Sequence, residues 1–344
     1  MSGDARWRMP SEADPHERTW MAFPPTTPAL GTDADEIAVA RRVWSETAHA
    51  VLAFEPVTML VDPADIAVAR RMLSSEVTLV EHPLDDAWMR DVGPTFVLDE
   101  NGRLGGVDWT FNGWGGQEWA SWERDSKVAA AIIDLVGCTH LPSTLINEGG
   151  GIHVDGLGTV LVTETVQLDP GRNPGLTKSD VEHELAVRIG VDNVIWLRRG
   201  LTRDYEDLGT RGHVDMVATF PSVGCVLVHD QQNTEHPDHE LTADVLTTLA
   251  EATDSRGKPF EIVRLPAPMT LRDQDGFVDY TYINHLVVNG GVIACTFGDP
   301  VDDEALEVLA SAYPGRTVVG VDAREIFARG GGIHCITQQQ PVAT

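Results

Sequence analysis

Gly149-Gly150-Gly151-Ile152-His153 returns letter for letter as Gly330-Gly331-Gly332-Ile333-His334 near the far end of the chain. Self-similarity of this kind, here with other units at a spacing of roughly 50–65 residues, signals one supersecondary unit used several times. The first copy opens GGIHVDGLGTVLVTE (150–164), in which two β-branched runs flank glycine in the manner of a hairpin. GHVDMVATFPSVGCVLVH (212–229) and YINHLVVNGGVIACTFGD (282–299) repeat that pattern.

Helical stretches alternate with these hairpins. Ile37, Ala40, Val43, Trp44, Ala48 and Val51 fall on one face of a helix. Ile66, Val68, Ala69 and Met72 suggest a second helix, Val128, Ala131, Ile132, Leu135 and Val136 a third, and Val181, Leu185, Ala186 and Ile189 a fourth. TADVLTTLAEA (242–252) and DDEALEVLASA (302–312) read as two more. Short β-branched strands lie between them at 57–62, 77–82, 193–197 and 260–265. Helices outside and hairpins inside, about five times over, predict an α/β fold: a five-fold pseudosymmetric α/β propeller of ββαβ-type repeats around a central channel. Closure into a ring would also remove most exposed sheet edges. Residues 1–344 then form a single domain. The alternative is an open α/β sheet, but no GxGxxG follows a strand to support nucleotide binding.

The 344 residues carry a formal net charge of −28 and are 42% hydrophobic. So acidic a surface repels nucleic acid and anionic membranes and favours a cationic small molecule, though it equally suits solubility or salt adaptation. Cys138, Cys225, Cys295 and Cys335 form no CxxC pair, which argues against a zinc ribbon or disulfide framework and suits a reducing cytosol. The N-terminal stretch has no signal-peptide core, and nothing approaches the ~18 apolar residues of a membrane span, so a cytoplasmic protein is expected. Trp7 and Trp44, outside the motifs, suit ordinary packing better than a homodimer interface, although the latter stays open.

Polar residues cluster at loop–strand junctions. Trp88-Met89-Arg90-Asp91 before Val92-Gly93-Pro94 offers a carboxylate that could pair locally with Arg90. Asn147-Glu148 precedes three glycines, which either make a plain turn or let a backbone approach a ligand beside the carboxylate. In Gly212-His213-Val214-Asp215, residues two apart on a strand share a face, so His213 and Asp215 form a candidate acid–base pair, a structural pair or half a metal site. His153-Val154-Asp155 copies that spacing and is read as structural. Cys335 differs from the other three cysteines: glycines precede it, His334 adjoins it and polar residues follow, suiting an accessible nucleophilic sulfur. On a strand His334 would point to the opposite face and would not be the base.

Together WMRDVGP, FNGWGG, EGGGIHVDG, GHVD, YINHLVVNGGVI and GGGIHCITQQQP resemble, in order, the agmatine deiminase / bacterial peptidylarginine deiminase family of the guanidine-modifying superfamily, from about Met9 to Pro341. The resemblance implies the five-bladed α/β propeller already suggested by the repeats. It implies that Cys335 is the nucleophile and His213 the general acid/base. Asp91 and Asp215 would grip the guanidinium nitrogens, Glu148 would orient His213, and Trp88 would wall the pocket. A planar cation rich in N–H donors suits a ring of carboxylates. The implied reaction is hydrolysis of agmatine to N-carbamoylputrescine and ammonia through a cysteine thiouronium, within putrescine and polyamine synthesis, requiring no metal or organic cofactor. Arg211 departs from the agmatine-type pattern, as do the tract Gln117–Trp122 and His285. An inward Arg211 would favour a carboxylate-bearing substrate. The alternatives are therefore a deiminase of arginine, peptidyl-arginine or another guanidino acid, and an amidinotransferase. Further afield stand a metallohydrolase using the HxD pairs and a guanidine-binding sensor.

Overall fold

The computed structural model describes residues 6–27 and 30–343; the N-terminal expectation thus falls partly on residues outside them. All six expected helices form, at Ala34–Leu52, Ile66–Met72, Val128–Val136, Lys178–Ile189, His239–Glu251 and Asp302–Ala312. Their ends follow local chemistry. Asp33 accepts the backbone N–H groups of Asp35 and Glu36, and Thr177 with Asp180 makes a reciprocal capping box. Gly190 ends the fourth helix at φ 70°, where a Cβ would lie 2.1 Å from the Trp7 carbonyl oxygen. A residue other than glycine would meet both strain and collision there.

The chain is a mixed α/β fold in which one hydrogen-bonding pattern recurs. His153–Val154 pairs antiparallel with Thr159–Thr163, and Asn193–Leu197, after a helix, adds parallel to it. The strands Thr95–Asp99, Leu104–Thr110 and Thr139–Ile146 repeat this order, as do Ala218–Ser222, Cys225–Asp230 and Glu261–Pro266. Leu286–Val288, Gly291–Thr296 and Thr317–Asp322 do so again. In the last case the hairpin partners come from opposite ends of the sequence: Thr337–Pro341 pairs antiparallel with His16–Ala22, which runs parallel to Val57–Val61. A two-stranded ribbon, Arg272–Asp273 with Gly276–Phe277, stands outside the pattern.

The helices bury their apolar stripes against these sheets in one large core and a smaller one around Val97, Val107, Val160 and Val181. Trp44 is fully buried and meets Trp88 edge-on at 5.6 Å, so its surface is spent within the chain. Among the described residues no helix is long and apolar enough to cross a membrane.

One expectation about local structure changes. His213 and Asp215 are not on a strand. His213, at φ −52° and ψ 139°, leads into a single 3-10 turn at Val214–Met216 before the strand at Ala218. The cause is Asp204, whose carboxylate accepts N–H groups from Thr210, Gly212 and His213 and so folds the segment into a turn. The echoed glycines also differ in use: Gly149–Gly151 is a 3-10 turn, whereas Gly330 has φ 113°.

Candidate active site

Short turns aim the candidate residues at one place. Asp91 sits in the single helical turn Met89–Val92, Glu148 precedes the turn Gly149–Gly151, and Cys335 lies in the turn before Thr337–Pro341. A Cβ built on Gly150 would lie 2.4 Å from His213 Nδ1, 3.0 Å from Asp91 Oδ1 and 3.1 Å from Asp215 Oδ2. Cys335 Sγ is 3.7 Å from the same Asp215 oxygen. The ring of Trp88 and Cys335 approach each other across Gly331, whose Cβ would be 2.8 Å from the indole and 3.0 Å from the sulfur. Asp91, Glu148, His213, Asp215, Cys335 and Trp88 are all buried, none more than 5% exposed.

The charges here are strongly coupled. Both Glu148 oxygens accept from Arg172 Nε, at 3.0 and 3.1 Å, and Oε2 faces His213 Nε2 at 3.2 Å. Burial alone would raise the Glu148 pKa, but Arg172 and His213 outweigh it and hold the carboxyl below its ordinary value. Burial likewise disfavours a charged His213, yet Asp91, Glu148 and Asp215 together push it up to about 9. Asp91 goes the other way. Burial, with Glu148 and Asp215, lifts it to about 6 despite the attraction of His213. The Trp114 indole N–H donates to Asp91 Oδ2 at 2.9 Å and the Gly150 N–H to Oδ1 at 3.1 Å, fixing its orientation. His213 Nδ1 and Asp215 Oδ1 are buried and have no protein hydrogen-bond partner.

The Cys335 thiol is pushed well above its ordinary pKa by burial and then by Asp215 and Asp91. Asn284 Nδ2 donates to its sulfur at 3.2 Å. An incoming planar cation would offset the two negative carboxylates that hold the proton on sulfur, and would offer N–H donors to the unpartnered oxygen of Asp215.

Other candidates are placed elsewhere. Arg90 turns away from Asp91, donating to Glu12 Oε1 at 3.3 Å and to the His334 carbonyl at 3.3 Å, so the local Arg90–Asp91 pair does not form. His153 is 2.6 Å from Thr219 Oγ1, and Asp155 accepts from the Leu157 and Thr159 N–H groups, a structural division of labour. Arg211 is engaged by a different carboxylate from those around Gly150. At φ 69° it places Nη1 3.2 Å from Asp169 Oδ2, the oxygen that also accepts from Arg172. His285 is engaged by the Tyr282 carbonyl and the Tyr313 hydroxyl.

Several contributors were not picked out in the sequence. Trp114 and Asn284 lie inside FNGWGG and YINHLVVNGGVI, motifs that were noted without a role for those residues. Arg172, Asp204 and Glu12 carried no local signal, because their significance arises from contacts 24, 9 and 322 positions away respectively.

The Porphyromonas-type peptidyl-arginine deiminase family matches residues 8–341. A Streptomyces coelicolor protein named provisionally as an agmatine deiminase is 55% identical over 336 residues, covering 97% of this chain and 99% of its own. The agmatine deiminase of Stutzerimonas stutzeri is 39% identical over 356 residues, covering 97% and 95%. Among solved structures, the agmatine deiminase of Enterococcus faecalis superposes with a TM-score of 0.91 at 34% identity, over 99% of this chain and 98% of that one. With almost its whole length matched in both sequence and fold, the chain belongs to the Porphyromonas-type peptidyl-arginine deiminase family.

Proposed function

We propose that this chain is a hydrolase that deiminates agmatine, giving N-carbamoylputrescine and ammonia, with Cys335 as nucleophile. The observation that carries the reading is the convergence of His213, Asp91 and Asp215 on the Cβ position of Gly150, with the Cys335 sulfur against Asp215. Asp91 and Asp215 receive the guanidinium N–H groups and hold its carbon beside the sulfur. Binding of that cation lowers the thiol pKa, the thiol proton passes to solvent, and the thiolate adds to the carbon. His213, kept protonated by Glu148 and Asp91, gives its proton to the departing nitrogen, which leaves as ammonia. The neutral imidazole then takes a proton from water. The resulting hydroxide adds to the thiouronium carbon; the new hydroxyl gives up its proton as the C–S bond breaks, releasing the ureido product, and the departing sulfur regains a proton to restore the thiol.

Agmatine is favoured over arginine by the names of the relatives and by Arg211. Its guanidinium is engaged by Asp169, which it shares with Arg172, so part of its pull on a substrate carboxylate is already taken up. The five recurring strand sets, with the last strand, Thr337–Pro341, paired to His16–Ala22 near the start of the chain, support a single catalytic domain closed into a five-unit α/β propeller around this site. The absence of a long apolar helix among the described residues accords with a cytoplasmic location, and the product would feed putrescine synthesis.

A ureido-product assay across agmatine, arginine, arginine peptides and other guanidino compounds tests the reading. Agmatine should be the best substrate, and Cys335→Ala should abolish product formation with the fold intact. Near-wild-type turnover by Cys335→Ala would sink the mechanism, and preference for arginine would move the substrate.

A further inference from the structure

A chain of buried groups reaches Asp215 that the reaction above does not use. Asp215 Oδ2 is 2.7 Å from His334 Nδ1, and His334 Nε2 is 2.8 Å from Glu12 Oε1. A neutral imidazole has one N–H donor and one acceptor nitrogen, whereas a carboxylate oxygen can only accept. With a carboxylate at each nitrogen, both contacts are hydrogen bonds when His334 carries two ring protons.

The surroundings weigh on both sides of that charge. Arg90 Nη1 shares the Glu12 oxygen at 3.3 Å, and His153 Nε2 lies 3.8 Å from the other. The His153 and His334 rings are 6.2 Å apart, His285 acts on both groups from the next strand unit, and Cys335 follows directly. Tyr313 faces Glu12, and His213 and Asp91 face Asp215 from the other side of the site. Burial and Arg90 lower the His334 pKa, but Glu12 and Asp215 outweigh them and raise it. Glu12, His153 and His334 also lie close enough to suggest a cation cradle. Arg90 already supplies the positive charge at Glu12, however, and His153 Nε2 is taken by Thr219.

We propose that Glu12 is a positioning residue of the deimination: through a doubly protonated His334 it holds Asp215 ionised and aimed between the Cys335 sulfur and the guanidinium. The role rests on the function proposed above. Without the Glu12 charge, His334 reverts to an ordinary neutral histidine above neutral pH, and Asp215 loses the one cation among the described residues that hydrogen-bonds it, leaving only the charges of His213 and Arg90 to favour its ionised form.

Histidine-selective ¹⁵N NMR of the wild-type protein at about pH 8 reads this directly. Both ring nitrogens of His334, assigned by their loss in His334→Gln, should be protonated. In Glu12→Gln the ring should be neutral, and the ratio of variant to wild-type kcat/KM for agmatine should fall about tenfold between roughly pH 6 and pH 8.5. A neutral His334 in the wild type overturns the proposal, even if Glu12→Gln fails to fold. So does a ratio that is the same at every pH, since lost packing would lower activity uniformly. A wild-type protein that hydrolyses no guanidine overturns the function and this role with it, whereas an active protein with a neutral His334 overturns the role alone.

Discussion

A methyl group on Gly150 would stand 2.4 Å from Nδ1 of His213, inside the space shared with Asp91 and Asp215. Gly150 is not among the positive-φ residues, so its lack of a side chain serves space rather than backbone freedom. Gly150→Ala should therefore lower kcat/KM by about a hundredfold or more, because displacement of reacting groups by even an ångström costs that much. The accompanying overpacking should cost about 1–3 kcal/mol in chemical denaturation. Full activity in a folded Gly150→Ala protein would mean that substrate does not occupy this space.

The free protein should hold Cys335 as a thiol. Burial, Asp215 and Asp91 all favour the protonated form, and no cationic side chain touches the sulfur among the described residues. The difference in ultraviolet thiolate absorbance between wild type and Cys335→Ala should be absent at neutral pH and should grow above the ordinary cysteine range. Alkylation should follow the same rise. A thiolate signal already saturated at neutral pH would contradict the electrostatic account and remove the need for substrate to trigger the nucleophile.

His213 should make folding stability depend on alkaline pH. Its folded pKa, about 9, lies above its ordinary value of 6.5. The favourable interaction is therefore fully present below 6.5 and is lost as pH rises through 9. The stability difference between wild type and His213→Gln should shrink by about 3 kcal/mol across that window. Asp91, raised to about 6 from 3.8, adds a separate loss of stability as pH climbs through 3.8–6, with the same sign. Denaturation at several pH values checks both windows, and a pH-independent difference for His213→Gln would show that its contacts are not charge-dependent.

The outline of the fold was legible because the repeat is written in hydrophobic periodicity. All six helices and the three hairpins lie where their apolar spacing put them. The pairing of Thr337–Pro341 with His16–Ala22 had no such signal, since nothing local in either strand specifies a partner at the other end of the chain. The same contrast governs the site. Asp91, Glu148, His213, Asp215 and Cys335 stand beside glycines that mark turns, and the structure brings them together. The face-sharing argument put His213 and Asp215 on a strand, whereas the segment is a turn in which Asp204 holds the N–H groups of Thr210, Gly212 and His213. His334 was expected to point away, and in its turn it bonds Asp215 instead. Side chains that act through long-range contacts, Glu12 and Arg172 above all, were invisible because their own neighbours in sequence say nothing about charge.

Arg172 gives the last test, since it separates charge from geometry. Its Nε donates to both Glu148 oxygens, Nη1 donates to Asp169 and Nη2 to the Thr210 carbonyl, with the side chain wholly buried. Lysine keeps the charge but presents a point rather than a fork, so it cannot serve all three partners at once. Arg172→Met should destabilise the protein by about 3–5 kcal/mol, because it leaves the Glu148 carboxylate buried without its main counter-charge. Arg172→Lys should cost less. Glu148 has a lowered pKa and so contributes stability above 4.5 that is lost as pH falls below it. With Arg172 gone the carboxyl is harder to ionise, so the acid limb of kcat/KM should move to higher pH in Arg172→Met and by less in Arg172→Lys. If the two variants instead lose activity equally with unmoved pH profiles, Arg172 acts by shape alone and the charge on Glu148 is held by His213.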